Sequence, residues 1–311
     1  DLNEGELMRK TNQEKPAHAI YDYAIITDSV EGLILTDINT LSDGEPRNNF
    51  LERAITWNEG GVLDGAQHLT VGGNIAYVAV DAGVAIIDLE DPLVPKHIRT
   101  VPMEDTRAVY QQFRFLFVTN GEGLQVIDIT EPAKAFLIPN NIIKIANAQK
   151  MSAARTYAYV AAGSEGIYIV DIKDPTKLRT QQIFNEGLSD AHDIVVATTN
   201  ASLIGYVADG AAGLKVLQLT SPESQPRFYG FSPEPKPETI AHFKTSKTAL
   251  TLSRGLERDR AVDESGGQVA VFSRVGSGPL SKDDMRKLYI DKDGKPWFVT
   301  DELTDEQAEP K

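Results

Sequence analysis

Four segments of this chain spell one pattern. They read NIAYVAVDAGVAIIDLEDP at 74–92, RFLFVTNGEGLQVIDITEP at 114–132, TYAYVAAGSEGIYIVDIKDP at 156–175 and IGYVADGAAGLKVLQLTSP at 204–222. A fifth copy, YAIITDSVEGLILTDI, lies upstream at 23–38, and a degenerate sixth, RAVDESGGQVAVF, at 260–272. The residue closing the second apolar run is Asp37, Asp88, Asp128 and Asp171 in turn, then Gln218 and Ser273. A period of roughly 40–50 residues with several short strands per unit belongs to radially repeated β architectures. Such a unit cannot bury its apolar faces alone and must stack against its neighbours.

Within one unit the turn residues mark the strands. In the second copy, Gln67–Val71 reads as a strand and Gly72-Gly73 as a turn. Ile75–Val80 is a second strand, and Asp81-Ala82-Gly83 a hairpin turn in which glycine supplies a positive φ. Val84–Leu89 is a third strand, stopped at Asp91-Pro92 because proline cannot donate to a ladder. Residues around His97–Val101 supply a polar outer strand. The middle strands are nearly continuous apolar runs, as expected where both faces are covered. A β-sandwich also alternates such strands with glycine turns, but it has no reason to repeat one sequence six times. The expectation is therefore an all-β fold, a β-propeller of about six four-stranded blades, or seven if the termini build another. Residues 1–16 form a polar N-terminal segment, 17–275 the propeller, and 276–311 an irregular C-terminal extension.

Bulk properties narrow the function classes. The formal charge is −14, from 31 Lys+Arg against 45 Asp+Glu. A surface this acidic repels phosphate, so nucleic acid is not an expected partner. There is no cysteine, which removes disulfides, thiolate metal sites, a cysteine nucleophile and C-x-x-C-H haem attachment. No apolar run approaches the roughly 20 residues of a membrane span. The chain opens DLNEG, without an initiator Met or a signal peptide, as expected of a processed chain or a piece of a longer one.

The repeated Gly-(Leu/Val/Ile)-x-(Ile/Val)-(Ile/Val)-Asp-(Ile/Leu)-x-(Asp/Glu)-Pro, preceded by an aromatic-Val pair, resembles the LVIVD-repeat family over about residues 20–275. That resemblance implies a β-propeller, periplasmic, secreted or at the cell surface, mostly without catalytic activity. The stretches DAHDI at 190–194, YVADG at 206–210 and DRAVDE at 259–264 resemble a subgroup found in extracytoplasmic multihaem cytochrome systems. The resemblance implies a protein partner, a multihaem cytochrome, and no cofactor in this chain.

Among candidate functional residues, the five histidines are His18, His68, His97, His192 and His242, and no pair has zinc-site spacing. Alignment of the repeats places His192 on the inner strand beside the central channel, at the position of Gln67, Arg107 and Gln149. The ordinary role of such residues is polar packing of the channel; the functional one is a ligand contact, or an imidazole offered to a partner's metal or haem. Asp190, Asp193 and Asp209 stand near His192 in the sequence and supply the oxygens a Ca²⁺ site needs, although none has EF-hand spacing. Three functions stay open: a scaffold, a ligand- or Ca²⁺-binding propeller, and a hydrolase or lyase with His192 as base and Asp193 or Asp209 as its partner. No G-x-S-x-G elbow is present, and the glycine-rich segments are turns with no helix after them. The closing aspartates are expected to accept from turn backbone N–H groups.

Three irregular stretches interrupt the repeat. The run LERDRAVDE at 256–264 puts charges where other copies carry an apolar strand. Arg258, Asp259 and Arg260 there require solvent or a docked tail or subunit, because buried charges persist only when paired. The Pro-rich SPEPKP at 232–237 favours polyproline geometry, free to lie along another surface. Leu280–Tyr289 predicts a short helix with Ser281 as N-cap, followed by a turn at 291–295. Ala19–Tyr23 or Trp297–Thr300 are candidates for ring closure. A partner is expected to contact residues 230–301 more than the regular blades at 66–175.

Overall fold

The computed structural model describes residues 18–41, 44–198, 202–222, 232–253, 274–275 and 278–297. The first five copies of the repeat become five antiparallel sheets. The first has three strands, β1 (Tyr23–Asp28), β2 (Gly32–Asp37) and β3 (Glu52–Trp57). The second is β4 (His68–Gly72), β5 (Ile75–Val80), β6 (Gly83–Asp88) and β7 (Lys96–Pro102). The third is β8 (Ala108–Gln112), β9 (Phe115–Asn120), β10 (Gly123–Asp128) and β11 (Phe136–Lys144). The fourth is β12 (Met151–Ala154), β13 (Tyr157–Ala161), β14 (Ile167–Asp171) and β15 (Arg179–Phe184). The fifth is β16 (Asp193–Thr198), β17 (Leu203–Ala208), β18 (Leu214–Thr220) and β19 (Glu238–Phe243). The inner strands β4, β8, β12 and β16 are successive neighbours. Sheets meeting through their first strands and ordered by sequence are the blades of a β-propeller.

The apolar runs have a simple cause. Successive strand residues point to opposite faces, and each middle strand divides its residues between two cores. Ile75, Tyr77 and Ala79 of β5 join Leu116 and Val118 of the third blade. Ala76, Val78 and Val80, on the other face, join Leu33 and Leu35 of the first. Phe115 and Phe117 turn away from the second blade to meet Ala158 and Val160 of the fourth. Tyr159 and Ala161 meet Val207 and Leu217 of the fifth. Each fully buried Leu, Ile or Phe contributes about 1.5–3 kcal/mol relative to exposure, so the second, third and fourth blades each depend on both neighbours.

The glycine that opens the third strand of the repeat is set by a close approach. At Gly83 φ is +129°, and a Cβ would lie 2.2 Å from the Val101 carbonyl oxygen of the outer strand. At Gly123 the distance to the Ile143 oxygen would be 2.0 Å, at φ +140°. Only glycine fits both the space and the conformation. The aspartate that ends this strand bonds as expected: Oδ1 of Asp37, Asp88, Asp128 and Asp171 accepts the N–H of Asn39, Glu90, Thr130 and Lys173 at 2.8–3.0 Å. Gln218 stands at this place in the fifth blade, and there β18 runs on to Thr220 across a register shift.

The outer strands share an irregularity. One residue is left without a ladder partner at the same level of four of them: Ala54, Ile98, Gln181 and Ile240. β11 makes a larger excursion there. On that excursion Asn141 reaches the next blade, donating to the Pro175 oxygen at 2.7 Å and accepting from the Leu178 N–H at 2.8 Å.

Five blades lie within the described residues; the sixth copy at 260–272 lies outside them. The ring pattern nonetheless continues past β19. Ala249 bridges Gly210 as Ala191 bridges Gly163, so another inner segment starts at 249–251. Among the described residues the first blade has no strand equivalent to β4. Ala19–Tyr23, a candidate for ring closure, is a 3-10 turn at Ala19–Asp22, with His18 Nδ1 accepting from the Ile20 N–H; only Tyr23 enters β1. Of Trp297–Thr300, Trp297 alone is described, and its N–H donates to the Tyr289 oxygen.

A short hairpin, β20 (Arg274–Val275) and β21 (Gly278–Pro279), leads into the C-terminal extension. The extension then forms helix α1 (Lys282–Tyr289), where the Ser281 side chain accepts from the Asp284 N–H as an N-cap should. The helix lies across the seam of the second and third blades. Leu280, Met285 and Tyr289 join their shared core at 4–6% exposure. Lys282 Nζ lies 2.5 Å from Asp88 Oδ2, and Gln111 Nε2 donates to the Tyr289 hydroxyl at 3.2 Å. The proline-rich insert is likewise docked rather than free. Gln182 Nε2 donates to the Pro235 oxygen at 2.8 Å, Gln181 Nε2 to Glu234 at 2.6 Å, and the Thr156 and Ser232 hydroxyls lie 2.5 Å apart.

Candidate functional site at the channel mouth

Every inner strand is entered in the same way. The N–H groups of Gln67, Arg107, Gln149 and His192 donate to Ala79, Thr119, Ala161 and Ala208 oxygens at 2.8–3.0 Å. The four residues therefore occupy one position in successive blades, at the channel end formed by the β5–β6 type of hairpin. By the Gly210–Ala249 bridge, Leu250 holds that position in the next inner segment.

Their side chains are held by neighbouring atoms. Arg107 donates to the Ala148 oxygen at 2.8 Å and to Asp105 at 2.7 Å, joining the third blade to the fourth. Gln149 donates to Asn147 at 2.6 Å, while Gln67 is exposed. His192 Nε2 lies 2.9 Å from Asp190 Oδ2. The partner of His192 is thus Asp190, and neither Asp193 nor Asp209 takes that role. Asp209, fully buried, accepts from the Ser189 and Asp190 N–H groups and the Ser189 hydroxyl. It fixes the loop that presents Asp190.

One residue further along each strand, a second layer converges. Asp193 accepts from the Thr251 hydroxyl at 2.9 Å and the Leu252 N–H at 2.8 Å, with Lys150 Nζ 3.7 Å away. Lys150 also donates to Thr251 Oγ1 at 2.6 Å. His68 Nδ1 accepts from the Val109 N–H at 3.3 Å. Burial first, and then the Lys150 charge, push the His68 imidazole down to about 4 against a weaker opposing pull from Asp193. Lys150 and Thr251 were not singled out by the sequence: repeat alignment finds equivalent positions but not side chains reaching across an axis. Among the described residues, Asp190, Asp193 and Asp209 point to different partners, and no group of three His, Asp or Glu could hold a metal ion. Arg258, Asp259 and Arg260 lie outside the described residues.

Residues 65–100 and 146–185 match the LVIVD repeat. No curated protein matches the chain. Among solved structures, a protein from Lactobacillus plantarum is similar at 12% identity and a TM-score of 0.54, over 72% of this chain and 66% of that one. A putative 6-phosphogluconolactonase from Bacteroides uniformis is similar at 11% identity and a TM-score of 0.50, over 70% and 66% of the two chains. The chain thus spans about two thirds of the length of these two structures, and at these identities the likeness is one of fold.

Proposed function

We propose that this chain is a non-catalytic, extracytoplasmic propeller acting as a protein-interaction and scaffold module, docked to a multihaem c-type cytochrome in extracellular electron transfer. The observation that carries the non-catalytic reading is the bonding of the channel mouth. Arg107, Lys150 and Asp193 are each held by atoms of another blade or inner segment of this chain. The Thr251 hydroxyl is spent between Lys150 and Asp193. Groups committed in this way fix blades relative to one another, which is what a rigid scaffold requires. The extracytoplasmic location rests on the resemblance to the LVIVD-repeat family, and the cytochrome partner on that of the segments at 190–194, 206–210 and 259–264 to its cytochrome-associated subgroup.

The test is purification from the native source. The expected result is a cofactor-free chain without a Soret band that co-migrates with a haem-staining protein. A covalently attached haem, or a chain that always elutes alone, would overturn the reading. The pairing of His192 with Asp190 favours one alternative, a hydrolase or lyase with an oriented imidazole base. Turnover on ester or lactone substrates that disappears in His192→Ala would establish it instead.

A further inference from the structure

We infer that the exposed side of α1 and its surround form a two-fold interface with a second copy of this chain. This goes beyond the reading above and does not depend on it. Three sets of contacts fix what surrounds the helix. Lys282 reaches Asp88, where the connection that carries Leu93 and Val94 begins. Arg286 lies 3.7 Å from Glu131, on the connection that ends at Phe136. Gln111 donates both to the Tyr289 hydroxyl and to the Phe113 carbonyl. Leu93, Val94, Phe113, Phe136 and Leu288 of the helix itself are each 43–54% exposed. They belong to α1 and to the second and third blades, whose neighbours in the ring are described on both sides, so this is not a seam awaiting another blade. Phe113 also stands at φ +53°, in the turn where the second blade has Gly73, a left-handed backbone that is costly for an aromatic residue.

The charges around this patch fall into two halves. Beside the N-terminal end of α1, Glu90, Asp91 and Asp283 are exposed, and Lys282 next to them is already matched by Asp88. At its C-terminal end and on the turn that follows, Arg286, Lys287, Lys292 and Lys295 outnumber Glu131, Asp291 and Asp293. A second α1 turned by half a revolution lays its basic end over the acidic end of the first. Leu288, between the two ends, then lies beside the axis, with the other apolar side chains around it. Such a contact is self-complementary and closes at two copies. Elsewhere a net charge of −14 opposes the approach of a like copy. Here both signs are present, in the order that a two-fold axis requires. Apolar side chains exposed together within a polar surround mark contacts of this kind.

The test is sedimentation equilibrium of the full chain from about 1 to 100 μM. The native chain is expected to reach twice the 34.0 kDa of one copy. Leu288→Glu, at an exposed site, is expected to weaken association about tenfold or more. Lys287→Glu with Lys295→Glu makes both ends of the patch acidic, and Glu90→Lys with Asp283→Lys makes both basic. Each of these variants alone is expected to be monomeric, and an equimolar mixture of the two to dimerise, because each then meets its complement. The mixture also separates a lost contact from a lost fold. Val30→Ser, on the loop face, is expected to change association less than about twofold. A native chain that stays monomeric throughout overturns the inference, as it would if residues 298–311 of the same chain covered the patch. So does a dimer that Leu288→Glu leaves intact, or a mixture that does not associate. A monomer that still co-migrates with a haem-staining protein overturns this inference and leaves the interaction reading standing.

Discussion

The Lys282 ammonium stands 2.5 Å from the Asp88 carboxylate, across 194 residues of chain. Asp88 already uses its other oxygen to accept from the Glu90 N–H, so one side chain ends a strand of the second blade and anchors the C-terminal helix. Beside it, Gly73 adopts φ +63°, and a Cβ there would lie 2.5 Å from the Leu280 oxygen. Met285→Ala is expected to cost about 2–5 kcal/mol in urea unfolding, as for other buried methionines. Gly73→Ala should destabilise the full chain more than a chain ending at 275, because only the former adds the clash to the backbone strain. Equal costs in both backgrounds would show that the helix does not occupy this seam in solution.

Arg155 turns the corner between β12 and β13 at φ +57°. Its carbonyl accepts from Gln112 Nε2 at 3.0 Å, a bond that glycine preserves. Arg155→Gly should therefore raise stability by up to about 1 kcal/mol, the relief of left-handed strain exceeding the added freedom of the unfolded chain. A lower denaturation midpoint would contradict this.

Tyr159 lies between the fourth and fifth blades with a buried hydroxyl that has no hydrogen-bond partner among the described residues. Tyr159→Phe removes an uncompensated polar atom and keeps the ring packing. The expected change is neutral to about 1 kcal/mol more stable, and a loss above that size would mean the hydroxyl has a partner.

His68 gives stability a pH dependence. Its folded value, about 4, lies below the ordinary 6.5, so the unfolded chain holds the extra proton between these limits. The stabilisation from the neutral ring is complete above about 6.5, is lost as pH falls towards 4, and changes no further below that. The loss is up to about 3 kcal/mol at roughly 1.4 kcal/mol per unit. His68→Asn offers an oxygen near the position of Nδ1 without titrating, and should flatten the stability profile between pH 4 and 6.5. An unchanged slope would place the titrating group elsewhere.

Much of this fold is legible because the residues that build a blade lie close together in the chain. The glycine before each third strand, the aspartate after it, and the alternating apolar run between them are local instructions. So is the cap of α1, where Ser281 meets the Asp284 N–H three residues on. The seams are not local. Nothing in SPEPKP announces that Gln181 and Gln182 will hold it, and nothing around Met285 names the second and third blades as its destination. The expectation that residues 230–301 serve a partner is weakened by this internal docking. At the channel mouth, the ring of Gln67, Arg107, Gln149 and His192 follows from counting along the repeat. The partnership of Lys150 with Thr251 depends on the width of the channel and the reach of a lysine, which a repeat alignment does not encode.

The unpaired residue at one level of the outer strands has a consequence for how these rings meet one another. An outermost strand offers a row of free N–H and C=O groups, an invitation to any similar strand nearby. Ala54, Ile98, Gln181 and Ile240 each interrupt that row partway along, so an incoming regular strand falls out of step there. Such breaks are one of the devices by which natural sheets blunt pairing between the edges of separate molecules. Removing the extra residue from even one blade would create a straight rim, and with it a seed for aggregation.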